Sequence, residues 1–400
     1  MAQQPHPVST GLRSITDELS VQFLERRSMI EANLIALLAH EHPFNLGVPG
    51  TAKSEIIRSI IERMRGAIYF EALLSRTRPD AAILGPYNLP ELRDHGDFRR
   101  KTQGFLPTCD LAFLDEIGKM SPVLGHDLLS IMNERLFHEV NGSRSAQQVP
   151  LSTAFTAANE LIADESDDAA ALWDRLMVRI YIEPIKETSN FIKLLDGAVP
   201  SHLKGGNVTR TELDWADVRD AIESVVPAIT VPTNVHHSMV EMRKQLKEAE
   251  INPSDRRWRK SIRILQASAF YQGRDSVEDD DLSMLRYVMW DSPDQLAAVE
   301  RIALSISNPD AEKVMALLDK AAEIQSGIDE RADQAIEARA QYGAQAHARI
   351  KQMLTEVTKL EQDAKAAGRS TTKIDEAKQR IKEVSGEMMV KMLDMPDPNA

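Results

Sequence analysis

A lysine and a serine set behind a glycine-containing turn, at the head of a helical pattern, form an arrangement suited to phosphate. The chain carries one at Gly47-Val48-Pro49-Gly50-Thr51-Ala52-Lys53-Ser54. Backbone N–H groups of such a turn converge on phosphate oxygens at the helix N-terminus. The Lys53 ammonium then neutralises the β and γ oxygens, and the Ser54 hydroxyl is offered to Mg2+. Where a glycine commonly precedes the lysine this chain has Ala52, which can keep helical angles at that point. Downstream, Leu111-Ala112-Phe113-Leu114-Asp115-Glu116 ends an apolar run in two adjacent carboxylates. Asp115 is placed to hold the metal, and Glu116 to orient and polarise an attacking water. A third run, Phe155-Thr156-Ala157-Ala158-Asn159-Glu160, closes with an amide that can hydrogen-bond the water or the γ-phosphate. Asn is also favoured in plain strand-ending turns, so the place of Asn159 in this order is what carries its assignment. The chemistry the three segments share is hydrolysis of a nucleoside triphosphate.

The elements that must position these groups follow from the pattern. Pro43 to Leu46 reads as a short strand, followed by the Gly-containing loop and a helix from Glu55 to Arg65. Further strands are expected at Ala67 to Leu73, Leu111 to Leu114, Ser152 to Ala157 and Val178 to Ile182, which predicts an α/β core with a parallel sheet flanked by helices. Two short helices precede it between about Ile15 and His40. Beyond a loop at Gly205 to Asn207, helical patterns run through Thr211 to Val225, Asn234 to Glu250, Asp255 to Gln272 and Val277 to Trp290 without a convincing strand. An all-helical second domain follows from them. After Asn308-Pro309 the composition shifts to Ala, Glu, Lys, Gln and Arg, and apolar residues such as Val314, Leu317, Ala321, Ile324 and Ile328 recur in threes and fours. The pattern resumes from Ile350 to Ala364 and, past Gly368 and a capping run Ser370 to Thr372, from Ile374 to Met388. A C-terminal helical hairpin or coiled coil is expected. The expected domains are 1–185, 186–300 and 301–400.

Composition narrows the classes. The 400 residues, 42% hydrophobic and 27% charged, suffice for two or three domains. No stretch approaches the roughly 20 apolar residues of a membrane helix, and Met1 to Thr10 is polar, so no membrane insertion and a cytoplasmic location are expected. The one cysteine, Cys109, allows no intrachain disulfide and reads as a buried small hydrophobe. With 48 Lys and Arg against 61 Asp and Glu, the formal charge of −13 disfavours nucleic acid as a partner unless basic residues are segregated.

From about Glu25 to Trp290 the chain resembles the MoxR branch of the AAA+ ATPases, and more narrowly its RavA group. The three segments above match Walker A, Walker B and sensor 1, and alanine before the lysine is a trait of that family. The resemblance implies a P-loop AAA+ core with an all-helical lid, ATP and Mg2+ as ligands, and a homo-oligomeric ring, usually a hexamer. It implies that Pro86 to Pro107 is the insertion in helix 2 and Phe137 to Pro150 the hairpin before sensor 1, both at the ring surface or pore. In Ala171-Leu172-Trp173-Asp174-Arg175-Leu176-Met177-Val178-Arg179, two arginines four apart would share one face of a helical turn. One is implied to be the arginine finger acting on a neighbour's nucleotide: Arg175 is favoured and Arg179 is the alternative, and either could instead pair with Asp174 or a nearby acid. Ser254-Asp255-Arg256-Arg257-Trp258 resembles the sensor 2 start of the lid helix. Arg256 would then reach the γ-phosphate from the second domain and couple lid angle to nucleotide, with Arg257 and Arg259 solvated. The resemblance ends near residue 300, where the Ala-rich tail replaces the insertion domain of the RavA members.

The function implied is that of a chaperone-like motor that remodels or matures a protein complex, with a von Willebrand factor A domain protein as adaptor. Two other classes fit parts of the pattern. One is a DNA-associated motor using basic residues such as Arg99, Arg100 and Lys101, and the other is a nucleotide-gated scaffold assembled through the helical tail.

Overall fold

The computed structural model describes residues 5–138, 146–161, 167–196, 210–307, 310–331, 336–366, 371–393 and 395. The chain divides into two compact units. One joins Met1–His236, Leu246–Val277 and Met284–Val299; the other joins His237–Gln245, Glu278–Ser283 and Glu300–Ala400.

In the first unit five strands, β1 (Pro43–Gly47), β2 (Tyr69–Leu73), β3 (Leu111–Asp115), β4 (Thr153–Ala158) and β5 (Val178–Ile182), form one sheet in the order β2-β3-β4-β1-β5. Every pairing is parallel: Phe44 faces Thr156 and Arg179, and Asp115 faces Ala157 and Leu73. Strands β1 and β4 are buried along their whole length, which is why they read as continuous apolar runs and not as alternating ones. Asn45, a buried polar residue in mid-β1, is satisfied. It exchanges hydrogen bonds of 2.9 and 3.0 Å with Asn33 and donates to the Thr156 carbonyl at 3.1 Å. Helix α1 (Pro7–Gln22) buries the stripe Val8, Leu12, Ile15 and Leu19, whereas α2 (Arg27–Leu38) is buried almost all round. Helix α3 (Lys53–Ile61) follows the phosphate-type loop and turns Ile56, Ile57 and Ile60 inward.

Three neighbouring strands, β3, β4 and β1, therefore end side by side in Asp115, Ala158 and Gly47, each leading directly into a candidate motif. In open α/β sheets, ligands bind at these carboxyl ends of the strands.

The region expected to lack strands contains one. Leu213–Asp214 pairs in parallel with Met64–Arg65, a pairing too short to leave a period-two signature. Asp214 then caps the helix Trp215–Asp220 by accepting the Ala216 N–H at 3.1 Å. The expected insertion 86–107 holds a short helix, Leu89–His95, and an antiparallel bridge between Tyr87 and Arg100. The expected hairpin has both arms, Leu136–His138 and Ala146–Gln148, while residues 139–145 lie outside the described residues, as do the expected loop at 205–207 and Gly368 with Ser370. Further helices are α4 (Pro122–Glu134), α5 (Asp167–Arg175), α6 (Thr233–Glu248) and α7 (Asp255–Tyr271), of which α4, α5 and α7 carry residues discussed below.

In the second unit three long helices, α8 (Ala311–Arg331), α9 (Ile336–Ala366) and α10 (Thr372–Leu393), share one core that includes Leu317, Ile324, Ile350, Val357, Ile381 and Met388. The expected C-terminal helical hairpin or coiled coil is built of three helices around one seam. Helical spacing shows that a face is apolar, but not how many partners cover it. Two glycines let the helices close. A Cβ at Gly327 would lie 1.9 Å from the Tyr342 hydroxyl, and one at Gly343 would lie 2.7 Å from Leu393 Cδ2. No helix among the described residues is long and apolar enough to cross a membrane.

Candidate functional site

The loop between β1 and α3 is built by its own backbone. Gly50 and Ala52 both take left-handed angles, with φ of 82° and 63°. Ala52 does not keep helical angles, as the sequence alone suggested, and an L-residue there costs about 1–2 kcal/mol. This explains why glycine is the common choice at that point. The Thr51 hydroxyl closes the loop on the Val48 carbonyl at 2.9 Å. Gly47 lies so close to β5 that a Cβ would meet the Ile182 carbonyl at 2.5 Å. Lys53, 6% exposed, donates through Nζ to the carbonyls of Gly47 and Val48 and to Asn159 Oδ1, the last at 3.0 Å. Burial pulls its pKa below the usual lysine range, against the fields of Asp115 and Glu116.

The two acids divide their work. Asp115 Oδ2 accepts from the Ser54 hydroxyl at 2.9 Å, and Asp115 Oδ1 accepts the Glu116 N–H at 2.9 Å. Glu116 takes φ 55°, a left-handed kink that turns its side chain off the strand direction. One of its carboxylate oxygens accepts from Asn159 Nδ2 and the other pairs with Lys119 at 3.2 Å. Asn159 thereby links the phosphate-type lysine to the acid suited to activating water.

These residues fit ATP and Mg2+. The Ser54 hydroxyl in contact with Asp115 supplies two hard oxygen donors, and Mg2+ ordinarily completes its shell with phosphate oxygens and water. Lys53 rests on carbonyl oxygens with no carboxylate within 4.0 Å among the described residues, a buried cation in want of an anion.

The arginines separate. Arg179 does not share a helical face with Arg175, because α5 ends at Arg175 and Arg179 is the second residue of β5. It is 0% exposed, stacked at 3.9 Å on the Trp173 ring, and bonded to the carbonyls of Trp173 and Leu176 and to Asp291 at 2.8 Å. Burial pulls its pKa down to about 9. A guanidinium so enclosed within its own chain is not presented to a neighbour. Arg257 is buried as well, 3% exposed and 2.6 Å from Asp291, whereas Arg259 is exposed as expected. Arg175 is only partly buried. Its Nη1 donates to the Ala171 carbonyl at 2.6 Å, and Nε has no acceptor among the described residues. Burial first, and then the charge of Arg256, depress its pKa.

Arg256 is held by Asn133 and by Asp174 at 3.5 Å, which puts it beside Arg175 and not over the phosphate loop of its own chain. Asn133 lies at the end of α4, where the preceding residue's carbonyl meets His42 Nε2 at 2.8 Å, just ahead of β1. Lys53 follows the opposite end of that strand. Among the basic residues of the insertion, Arg100 is engaged within the chain by Asp80 at 2.5 Å, the Gly85 carbonyl and the Tyr87 ring.

Residues 10–219 match the family model of the MoxR domain in MoxR–vWA–beta-propeller ternary systems, and residues 234–303 match that of an AAA lid domain. Two uncharacterized proteins of Methanocaldococcus jannaschii are each 36% identical to this chain. The alignments cover 78% and 74% of this chain and 77% and 76% of the relatives. The fold is similar to that of a crystallised candidate ATPase of Cytophaga hutchinsonii, with a TM-score of 0.55 at 17% identity, over 74% of this chain and 93% of that one.

Proposed function

Since this chain belongs to the MoxR family of AAA+ ATPases, we propose that it hydrolyses Mg-ATP at seams between copies of itself and uses the cycle to remodel or mature a protein complex. In this reading Lys53 and the loop amides bind the β and γ phosphates, and Ser54 and Asp115 hold Mg2+. The bound ion neutralises charge on the phosphate oxygens. Glu116 orients and polarises the attacking water, and Asn159 keeps that acid in register with Lys53.

The observation that carries the seam is the separation of the cations. Arg175 and Arg256 crowd each other at the end of the sheet away from Lys53, so their service to a phosphate is to that of an adjoining copy. Arg256 accordingly acts across the seam and not as a lid contact within its own chain. A closed ring, six copies as in the resemblance, is the proposed assembly, in the cytoplasm. A von Willebrand factor A protein and a β-propeller protein, the companions in the name of the matching domain model, are the proposed adaptors. The intrachain engagement of Arg100 weighs against a DNA motor gripping through that insertion.

The test is phosphate release from Mg-ATP. Turnover should be lost in Glu116→Gln with nucleotide binding kept, and both should be lost in Lys53→Ala. Turnover in Glu116→Gln equal to that of the unmodified protein would sink the reading.

A further inference from the structure

The catalytic reading uses one buried cation at the phosphate loop, and a second stands beside it. Arg26, in the turn between α1 and α2, is 7% exposed. Its Nε donates to the Thr51 carbonyl of the loop at 3.3 Å and its Nη1 to the Glu25 carbonyl at 3.0 Å. Nη2 finds no acceptor among the described residues. Four arginines are buried among those residues. Arg63 has Glu18 at 3.5 Å, and Arg179 and Arg257 have Asp291 at 2.8 and 2.6 Å. Arg26 alone of the four has no carboxylate within 4.0 Å among the described residues. The adjacent acid is occupied elsewhere: the Glu25 carboxylate accepts the N–H groups of Lys186 and Glu187 at 2.8 and 3.0 Å and the Asn190 amide at 3.1 Å.

A guanidinium taken out of water without a counter-ion is costly, and burial pulls this one below the ordinary arginine range. Lys53 has the same signature on the same loop: buried, resting on carbonyl oxygens, with no acid in ion-pair range among the described residues. A single anion seated in the loop answers both. We propose that Arg26 is a nucleotide-binding residue, a second cation whose free guanidinium edge takes phosphate oxygens of the ligand that the loop holds. The planar fork of arginine suits such oxygens better than a point charge does. This rests on the ATPase reading, and its consequences separate it from a purely structural strut. A strut that ties the loop to the α1–α2 turn stabilises the empty protein. A cation awaiting an anion strains the empty protein and stabilises the loaded one.

The experiment is calorimetric titration of the full chain with ADP, and with tripolyphosphate, which lacks the base, in Mg2+, together with thermal melts with and without each ligand. In Arg26→Gln both affinities should fall by the same factor, roughly 10- to 100-fold. The melting temperature without ligand should hold or rise, and Arg26→Lys should recover part of the tripolyphosphate affinity. Unchanged tripolyphosphate affinity in Arg26→Gln would overturn the assignment. So would a lower ligand-free melting temperature combined with no recovery in Arg26→Lys. If the unmodified protein binds neither probe, or Lys53→Ala binds both as well as it does, the ATPase reading itself fails. Binding lost in Lys53→Ala but kept in Arg26→Gln removes Arg26 from the nucleotide site and leaves the ATPase reading standing.

Discussion

Two inactive variants should repair each other when mixed. Glu116→Gln lacks the acid beside the loop, and Arg175→Ala lacks the cation at the other end of the sheet. Strand β1 separates the two ends, and its five residues span about 13–17 Å, too far for a side chain of the same copy to serve both. In a closed head-to-tail assembly each seam takes the loop of one copy and the edge of the next. In an equimolar mixture a seam works only when the loop comes from Arg175→Ala and the edge from Glu116→Gln. Each condition holds half the time, so about one quarter of the seams regain a full set, whatever the number of copies. Loss of a finger-type arginine costs roughly 10³–10⁵ in rate, so that quarter would stand far above either variant alone. The assay is phosphate release at fixed total protein after the variants have exchanged subunits, with assembly verified by sedimentation. Arg256→Ala in place of Arg175→Ala should give the same fraction. Mixtures no more active than the sum of their parts, in samples shown to assemble, would refute the shared seam.

Acid should weaken the fold through His40, which burial and the Arg135 charge pull down to about 4. The unfolded chain then takes the proton first, so stability is full above about pH 6.5 and falls as pH drops through that value toward 4. His40→Asn, which tolerates the left-handed φ of 59°, should flatten this dependence in urea midpoints taken between neutral pH and about pH 5. Gly327→Ala should destabilise the second unit by about 1–3 kcal/mol in thermal melts, because the new methyl group meets the Tyr342 hydroxyl. Combining it with Tyr342→Phe should recover part of the loss. Asp291→Asn strips the shared acid from Arg179 and Arg257 and should cost about 2 kcal/mol in urea unfolding. That is below the usual range for a broken buried pair, because Asp291 is half exposed and carbonyls remain on Arg179.

The loop, the paired acids and Asn159 were legible because each is a local pattern, a strand running into a polar tip, and the fold places three such tips on adjacent strands. Four of the strands were legible from their mostly buried runs, and the edge strand Tyr69–Leu73, which is largely exposed, from its place in the alternation of strands and helices. What escaped depended on distant partners. A spacing of four set Arg175 and Arg179 on one helical face, but the helix ends at Arg175, and Trp290 and Asp291, from far along the chain, join the nearby Trp173 in enclosing Arg179. Arg256 and Arg257 are neighbours of one type, and only packing shows which of them Asp291 buries. The third helix of the C-terminal core was hidden because Tyr342 continues the same apolar spacing as Ile324 and Ile328, with no sign that it folds back over Gly327. Arg26 belongs to no motif and gave no local signal.

The contact of Gly47 with Ile182 has a mechanical corollary. Because a Cβ at Gly47 would run into the Ile182 carbonyl, any larger residue at the end of β1 would push the phosphate-type loop away from the end of β5. The same exit strand runs on to Lys186 and Glu187, gripped by the Glu25 carboxylate next to Arg26. The start of the phosphate-type loop and the segment that leads away from the sheet thus lie against the same few residues.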